Sequence, residues 1–310
     1  MLQNLKRILV LTPDAIGSNY FQRSLTVYLN WHGHPTKNYH ELGELTLDLR
    51  SLVQTLSTDR INSVARCSPY RSIEFGEDTE NYLKFCKNFF THIYVIDRCS
   101  FESVLSYSNT HQPNKTLSNV YGKYQYLENK NKKPYSIIKD NFIASLKYFE
   151  DFYVWVDKYF PEHKKIKHLD LISNPDKLFE QEFNISSNKE LSLKDYNIFN
   201  TLRIRNADLS NYSTIELLKF IDIIDYIDLL INKNLLPHNK TIKFPFKKIT
   251  LSEKIKDISN FTELLDIYNN YPSNHFEKIN ENQIKDRAIK EDSFWLLNCG
   301  DYSRLYNATF

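Results

Sequence analysis

The chain has 310 residues, a formal net charge of +2, 25% charged and 41% hydrophobic residues, and a mean hydropathy of -0.51. That length can bury a substantial core, and the composition excludes a disordered chain, so a soluble globular protein is expected. The near balance of charge excludes a general nucleic-acid binder, and the N-terminal apolar run, ended by Pro13, is too short for a signal peptide or a membrane span.

Four cysteines (Cys67, Cys86, Cys99 and Cys299) form no CxxC pair, and no histidine cluster has zinc-ligand spacing. The expectation is reduced thiols, no metal and a cytoplasmic protein. Glycine is scarce, at 6 residues, which gives Gly17 more weight than a glycine usually carries.

In chain order, residues 8–11 are apolar throughout, as in a strand covered on both faces. A tight loop follows, Thr12-Pro13-Asp14-Ala15-Ile16-Gly17, and then a helix over residues 18–29 with Phe21, Leu25, Tyr28 and Leu29 at helical spacing. Ser18 is placed to act as N-cap or first-turn donor. Strand, glycine loop and helix start together make an anion cradle, because the first N–H groups of a helix have no intrahelical partner. Gly33 and Pro35 end the helix. Residues 38–45 stand where an active-site loop could lie. Helices are expected over residues 48–56 and 77–90, with an irregular stretch around Cys67-Ser68-Pro69-Tyr70 between them.

Residues 93–96 are a second buried strand. Arg98 falls just past its end, Ser100 can cap a helix from Phe101, and Ser103 and Ser106 lie further along it. Residues 113–134 are polar and read as a surface loop or lid. A long aromatic-rich helix is expected over 140–160, a strand over 165–171, and a helix opened by Asn174-Pro175-Asp176. Beyond that the chain reads as helical, over 215–236, 251–271 and 282–297. The fold class is α/β: a central, mostly parallel sheet flanked by helices in three layers, with a largely helical C-terminal half. No repeat or clean linker divides it, so one domain over 1–310 is expected, with a core over 1–180 and a helical extension over 181–310.

The two strand–loop–helix units resemble the sulfotransferases that use 3′-phosphoadenosine 5′-phosphosulfate (PAPS), a P-loop-like fold. That family has a phosphosulfate loop after its first strand, roughly Pro-Lys/Arg-Ser-Gly-Ser/Thr-Thr, and Pro13 to Asn19 resembles it. It also has a 3′-phosphate site in which a strand-end Arg precedes a helix Ser by eight residues, a spacing that Arg98 and Ser106 match. Leu169-Asp170-Leu171-Ile172-Ser173-Asn174-Pro175-Asp176 is similar to an Asp-Leu-Ile-x-x-Pro element that follows a later strand in many members of the family. The resemblance covers roughly the first 180 residues. It implies that Ala15, Ile16, Gly17, Ser18, Asn19, Tyr20, Arg98 and Ser106 hold PAPS, and that no metal is needed. The activity it implies is sulfuryl transfer to a hydroxyl or amine of a small-molecule, glycan or peptide acceptor, without nucleic acid or membrane partners.

Family members often place acceptor-facing residues after the first helix, which makes His40 and Glu41 the candidate bases. Glu44, His32 and His34 are weaker alternatives. One departure matters. The basic residue that the family carries before its Ser-Gly pair is Ala15 here, preceded by Asp14. Either a cation arrives from elsewhere, with Arg7, Arg23 and Lys37 as candidates, or the chain is a degenerate member that binds a nucleotide or a partner without turnover. A P-loop kinase is disfavoured, because no Gly-Lys-Ser/Thr follows the loop.

Overall fold

The computed structural model describes residues 5–13, 16–110, 136–185 and 251–298. Five strands form one sheet in the order β2-β3-β1-β4-β5. They are β1 (Arg7–Leu11), β2 (Thr36–Glu41), β3 (Asn62–Cys67), β4 (His92–Asp97) and β5 (Lys164–Lys167). Every pairing is parallel. All five C-terminal ends therefore lie on one edge, and all five N-terminal ends on the other. The α/β class and the parallel sheet flanked by helices agree with the sequence reading.

Helix α1 (Ser18–Trp31) follows β1. The short α2 (Leu42–Leu45) and then α3 (Leu49–Thr58) follow β2, and Asp48 caps α3 by accepting a hydrogen bond from Ser51 N. After β3 come α4 (Pro69–Ser72), a 3₁₀ segment (Ile73–Asp78) and α5 (Thr79–Phe89). After β4 come α6 (Ser100–Thr110) and α7 (Lys139–Tyr159), and after β5 come α8 (His168–Ser173) and α9 (Pro175–Phe183).

Alternation along the strands divides the core into two layers. Leu9, Leu11, Ala65, Cys67 and Val95 face Leu52 and Leu56 of α3, Tyr82, Leu83, Cys86 and Phe89 of α5, and Phe152 and Val156 of α7. On the opposite face, Phe21 of α1 meets Tyr94 at 5.7 Å and Phe179 of α9 at 5.8 Å between ring centroids. Tyr28 meets Phe179 at 5.4 Å. Each such ring buries roughly 150–250 Å², so these contacts fix α1 and α9 against the sheet.

Four elements differ from expectation. Residues 36–41 form β2, overlapping the 38–45 stretch that stood where an active-site loop could lie, and residues 62–67, for which no strand was expected, form β3. The strand expected over 165–171 stops at Lys167, and the helix begins at His168. The helix expected over 251–271 is two, α10 (Leu251–Asp257) and α11 (Phe261–Asn270), followed by α12 (Glu281–Asn298). The expected loop over 113–134 and helix over 215–236 lie outside the described residues. No described helix is long and apolar enough to cross a membrane.

The chain divides into two compact units. The first is Met1–Ser103 with Leu146–Asn188 and Ser273–His275, and it holds the sheet. The second is Val104–Ser145 with Lys189–Pro272 and Phe276–Phe310. In the second, Asn260 exchanges two hydrogen bonds with the backbone of Ile137, at 3.1 and 2.9 Å. Asn269 does the same with Ile279, at 2.8 and 3.0 Å.

Candidate functional site

In an open parallel sheet the strand order decides where a ligand fits. The chain leaves β1 towards β2 on one side, and leaves β4 towards β5 on the other. Neighbouring loops that depart in opposite directions open a crevice, and ligands bind there, outside the carboxyl ends of the strands. The loop after β1 and the start of α6 after β4 flank that crevice.

On the β1 side, Thr12 N donates to Cys67 O at 3.1 Å, tying the loop to the end of β3. Thr12 Oγ1 and Ser18 Oγ share a hydrogen bond of 2.9 Å, which draws the loop closed at the first residue of α1. Gly17 has φ +89°. A Cβ there would come within 2.9 Å of His168 Cδ2 and 3.2 Å of His168 Nε2. Glycine is thus required twice, for the backbone angle and for the close approach of the ring. Ile16 and Ser18 are buried, and Asn19 and Tyr20 lie in the first turn of α1. Ala15 lies outside the described residues.

On the β4 side, Arg98 N donates to Ile96 O at 3.1 Å. Arg98 Nε lies 3.7 Å from Glu102 Oε2, both side chains being largely buried. Glu102 is in the first turn of α6, where a carboxylate is favoured by the helix dipole, and it aims the guanidinium. Ser103, in the same turn, is fully buried, and its hydroxyl has no hydrogen-bond partner among the described residues. Tyr153 bonds Ser100. Burial pushes the Tyr153 phenol up to about 12, with Asp97 and Cys99 adding to the shift. Ser106 lies farther along α6 and belongs to the second unit.

His40 and Glu41 end β2, on the same edge of the sheet. The strand order places β2 two strands from β1, about 10 Å at ordinary strand spacing. Glu41 is only 3% exposed. Its Oε1 accepts from Ser68 N at 3.1 Å and from Ser68 Oγ at 3.4 Å, and its Oε2 lies 3.5 Å from Arg66 Nη2. Both oxygens are engaged, so Glu41 joins β2, β3 and the start of α4. Nearby, burial above all pushes the Cys67 thiol well above its ordinary value, with Cys86 and Glu41 adding to the shift.

The structure sorts the other candidates by edge. Arg7 begins β1 and Lys37 sits near the start of β2, so both lie on the N-terminal edge, opposite the crevice. Arg7 stands over the Phe89 ring at 3.9 Å, and Lys37 pairs with Asp59 at 3.1 Å. Neither supplies the cation that the loop lacks, which corrects the sequence expectation for these two. His32 and His34 follow α1 after a run of about 21 Å away from the loop, so they too are remote. Arg23 lies inside α1.

Sequence reasoning missed Arg66, Ser68, Thr12 as a loop tie, and His168. His168 alone was within reach of a sequence signal, since it opens the Leu169–Pro175 element. Among the described residues no group of three or more His, Cys, Asp or Glu could hold a metal ion. In comparisons with known proteins, the chain matches no protein-family model and no curated protein.

Proposed function

We propose that the crevice between the C-terminal ends of β1 and β4 binds 3′-phosphoadenosine 5′-phosphosulfate, and that the protein is a P-loop-like sulfotransferase. One observation carries the reading. The strand order puts the Gly17 loop and Arg98 on the two sides of one switch point, and a nucleotide with an anion at each end asks for two separated anion sites. The N-terminus of α1 suits the phosphosulfate, since its first N–H groups have no intrahelical partner. Arg98, held by Glu102, suits the 3′-phosphate, since guanidinium binds phosphate through paired N–H groups. The Ser103 hydroxyl, which has no hydrogen-bond partner among the described residues, is a further donor for that end.

In this reading the acceptor oxygen attacks sulfur in line. The new S–O bond forms as the bond to the bridging oxygen breaks, and the electron pair leaves on the 5′-phosphate of the departing nucleotide. The N–H groups at Gly17, Ser18 and Asn19 stabilise that developing charge. The acceptor proton passes to a base. Of the two candidates we assign His40, because Ser68 and Arg66 already hold both oxygens of Glu41. Glu41 then positions the end of β2.

A second reading is favoured by one feature. No Lys or Arg stands between Leu11 and Arg23, and Arg7 and Lys37 lie on the wrong edge. A protein that binds the nucleotide without turnover fits that feature. Thermal shift tests what the two readings share: 3′-phosphoadenosine 5′-phosphate raises Tm, ATP with Mg²⁺ does not, and Arg98→Ala abolishes the rise. No response in the wild-type protein refutes both. Transfer of radiolabelled sulfate from PAPS to a panel of acceptors separates them.

A further inference from the structure

We infer that the segment Ser273–His275 is held on α7 by a proton-operated clasp, closed when the His275 imidazole carries protons on both ring nitrogens and released when it loses one. The inference is independent of the nucleotide reading above.

The clasp is built from spacing on one helix and a short excursion of the chain. Glu150, Tyr153 and Asp157 stand three and four residues apart on α7, which puts them on one face. Between α11 and α12 the chain joins the first unit over Ser273–His275, with stretches of the second unit before and after. There the His275 ring lies over Tyr153, the centroids 5.5 Å apart and the planes 17° from parallel. Its Nδ1 is 2.9 Å from Glu150 Oε1, and its Nε2 is 3.0 Å from Asp157 Oδ2. Ser273 Oγ donates to Glu150 Oε2, and His275 N donates to Ser273 Oγ at 3.0 Å.

The proton inventory of these groups fixes the state of the ring. An ionised carboxylate only accepts hydrogen bonds, and a neutral imidazole has one N–H and one lone pair. The single proton of the Ser273 hydroxyl goes to Glu150. Both ring nitrogens face carboxylate oxygens, so only the imidazolium donates at both. In the neutral ring one nitrogen turns a lone pair to a carboxylate, and a charge-assisted bond is lost. The charged groups that face His275 are Glu150 and Asp157, and both favour the cation. Ser273 is uncharged, and Tyr153 stays neutral because burial pushes its phenol up to about 12. Asp157 is the weaker partner, its side chain being 63% exposed against 20% for Glu150. Burial of the ring opposes its charge, but the bonds to Asp157 and Glu150 outweigh burial and raise its pKa above the ordinary value. The clasp is therefore closed below the unfolded pKa of about 6.5 and opens as pH rises through the folded one. Release bares the face of Tyr153, which bonds Ser100 at the start of α6.

Two measurements on the full chain test the clasp. In imidazole ¹H–¹⁵N spectra titrated over about pH 5 to 9, the His275 signals, assigned by their absence in His275→Gln, should show a midpoint above about 6.5. Hydrogen exchange read by mass spectrometry, corrected for the intrinsic rate at each pH, gives the second readout. Peptides covering 273–275 should lose about ten-fold in protection as pH rises through that midpoint, the weight of one hydrogen bond to a charged group. Peptides from β1 and β4 should keep theirs, which separates local release from global unfolding. His275→Gln should hold the segment's protection at the low, high-pH level throughout. Glu150→Gln, which keeps the shape and removes the charge, should lower the His275 midpoint, and Asp157→Asn should lower it less. A midpoint at or below about 6.5, or segment protection that does not change with pH, overturns the inference. So does a pH dependence that survives in His275→Gln, or a loss of protection that β1 and β4 share.

Discussion

Gly17→Ala is the sharpest test of how the loop is built. Two separable costs follow from the structure. At φ +89° an alanine is strained by roughly 1–2 kcal/mol, the ordinary cost of left-handed backbone for a residue with a Cβ. The new methyl would also stand 2.9 Å from His168 Cδ2. The ring is buried and must shift, which by analogy with overpacked cores costs about 1–3 kcal/mol. The single variant should therefore lose about 2–5 kcal/mol in urea denaturation. A double-mutant cycle separates the two parts. Against a His168→Ala background the collision vanishes and the backbone strain stays, so Gly17→Ala should cost about 1–3 kcal/mol less there. Additivity within about 0.5 kcal/mol would mean that the ring does not meet Gly17.

Two further predictions are independent of the loop. Glu41→Ala strips the partner from the buried Arg66 guanidinium and leaves Ser68 without its acceptor; it should cost about 3–5 kcal/mol, and Glu41→Ala with Arg66→Met should recover most of that. A near-neutral Glu41→Ala in chemical denaturation would refute the network. His275 lies between Glu150 at 2.9 Å and Asp157 at 3.0 Å and stacks on Tyr153. Burial opposes its protonation, but the hydrogen bonds to Asp157 and Glu150 outweigh it, so its pKa is raised above the usual 6.5. A raised folded value means that its stabilisation is full below the unfolded pKa and is lost as pH rises through the folded one. His275→Gln should accordingly destabilise the protein more at pH 5.5 than at pH 9, where pH 5.5 is about one unit below the unfolded value. Equal effects at both pH values would refute the clasp.

The parts of the fold legible in the sequence were those in which one residue's environment resembles its neighbours'. β1 and the buried part of β4 are apolar runs, and α1, α3, α5 and α7 carry regular stripes. β3 was hidden for a physical reason. Asn62, Ser63 and Arg66 are buried polar residues, and two of them have partners elsewhere in the chain: Lys6 N donates to Asn62, and Glu41 pairs with Arg66. No local pattern announces a compensation made across strands. β2 failed for the same reason, since Thr36, Lys37, Asn38, His40 and Glu41 read as a loop until β3 is there to pair with them. β5 was legible in existence but not in length, because Leu169, Leu171 and Ile172 continue an apolar pattern that the helix uses for packing. For the site, the loop glycine and Arg98 stood out, whereas His168 needed the sheet order to bring the end of β5 to the end of β1.

That same order turns a list of candidate cations into a choice. A parallel sheet has one edge at which ligands bind, so every cation is either on it or irrelevant to it. Arg7 and Lys37 begin strands and are engaged on the far edge. On the near edge Arg66 is committed to Glu41 and Arg98 is aimed by Glu102, each pair close to neutral as a unit. In the proposed reading, a phosphate arriving at Arg98 would meet a guanidinium whose orientation is already set, so little side-chain entropy would remain to be lost on binding. The loop around Gly17, residues 12–18, has no Lys or Arg in its sequence. In the proposed reading it would draw on the backbone N–H groups at the start of α1, which the fold sets before any ligand arrives. Two ends built on different chemistry should fail separately: in that reading Arg98→Ala would weaken recognition of the 3′ end and leave that of the 5′ anion. A single general basic patch would lose both ends together, in proportion to the charge removed, whichever residue was changed.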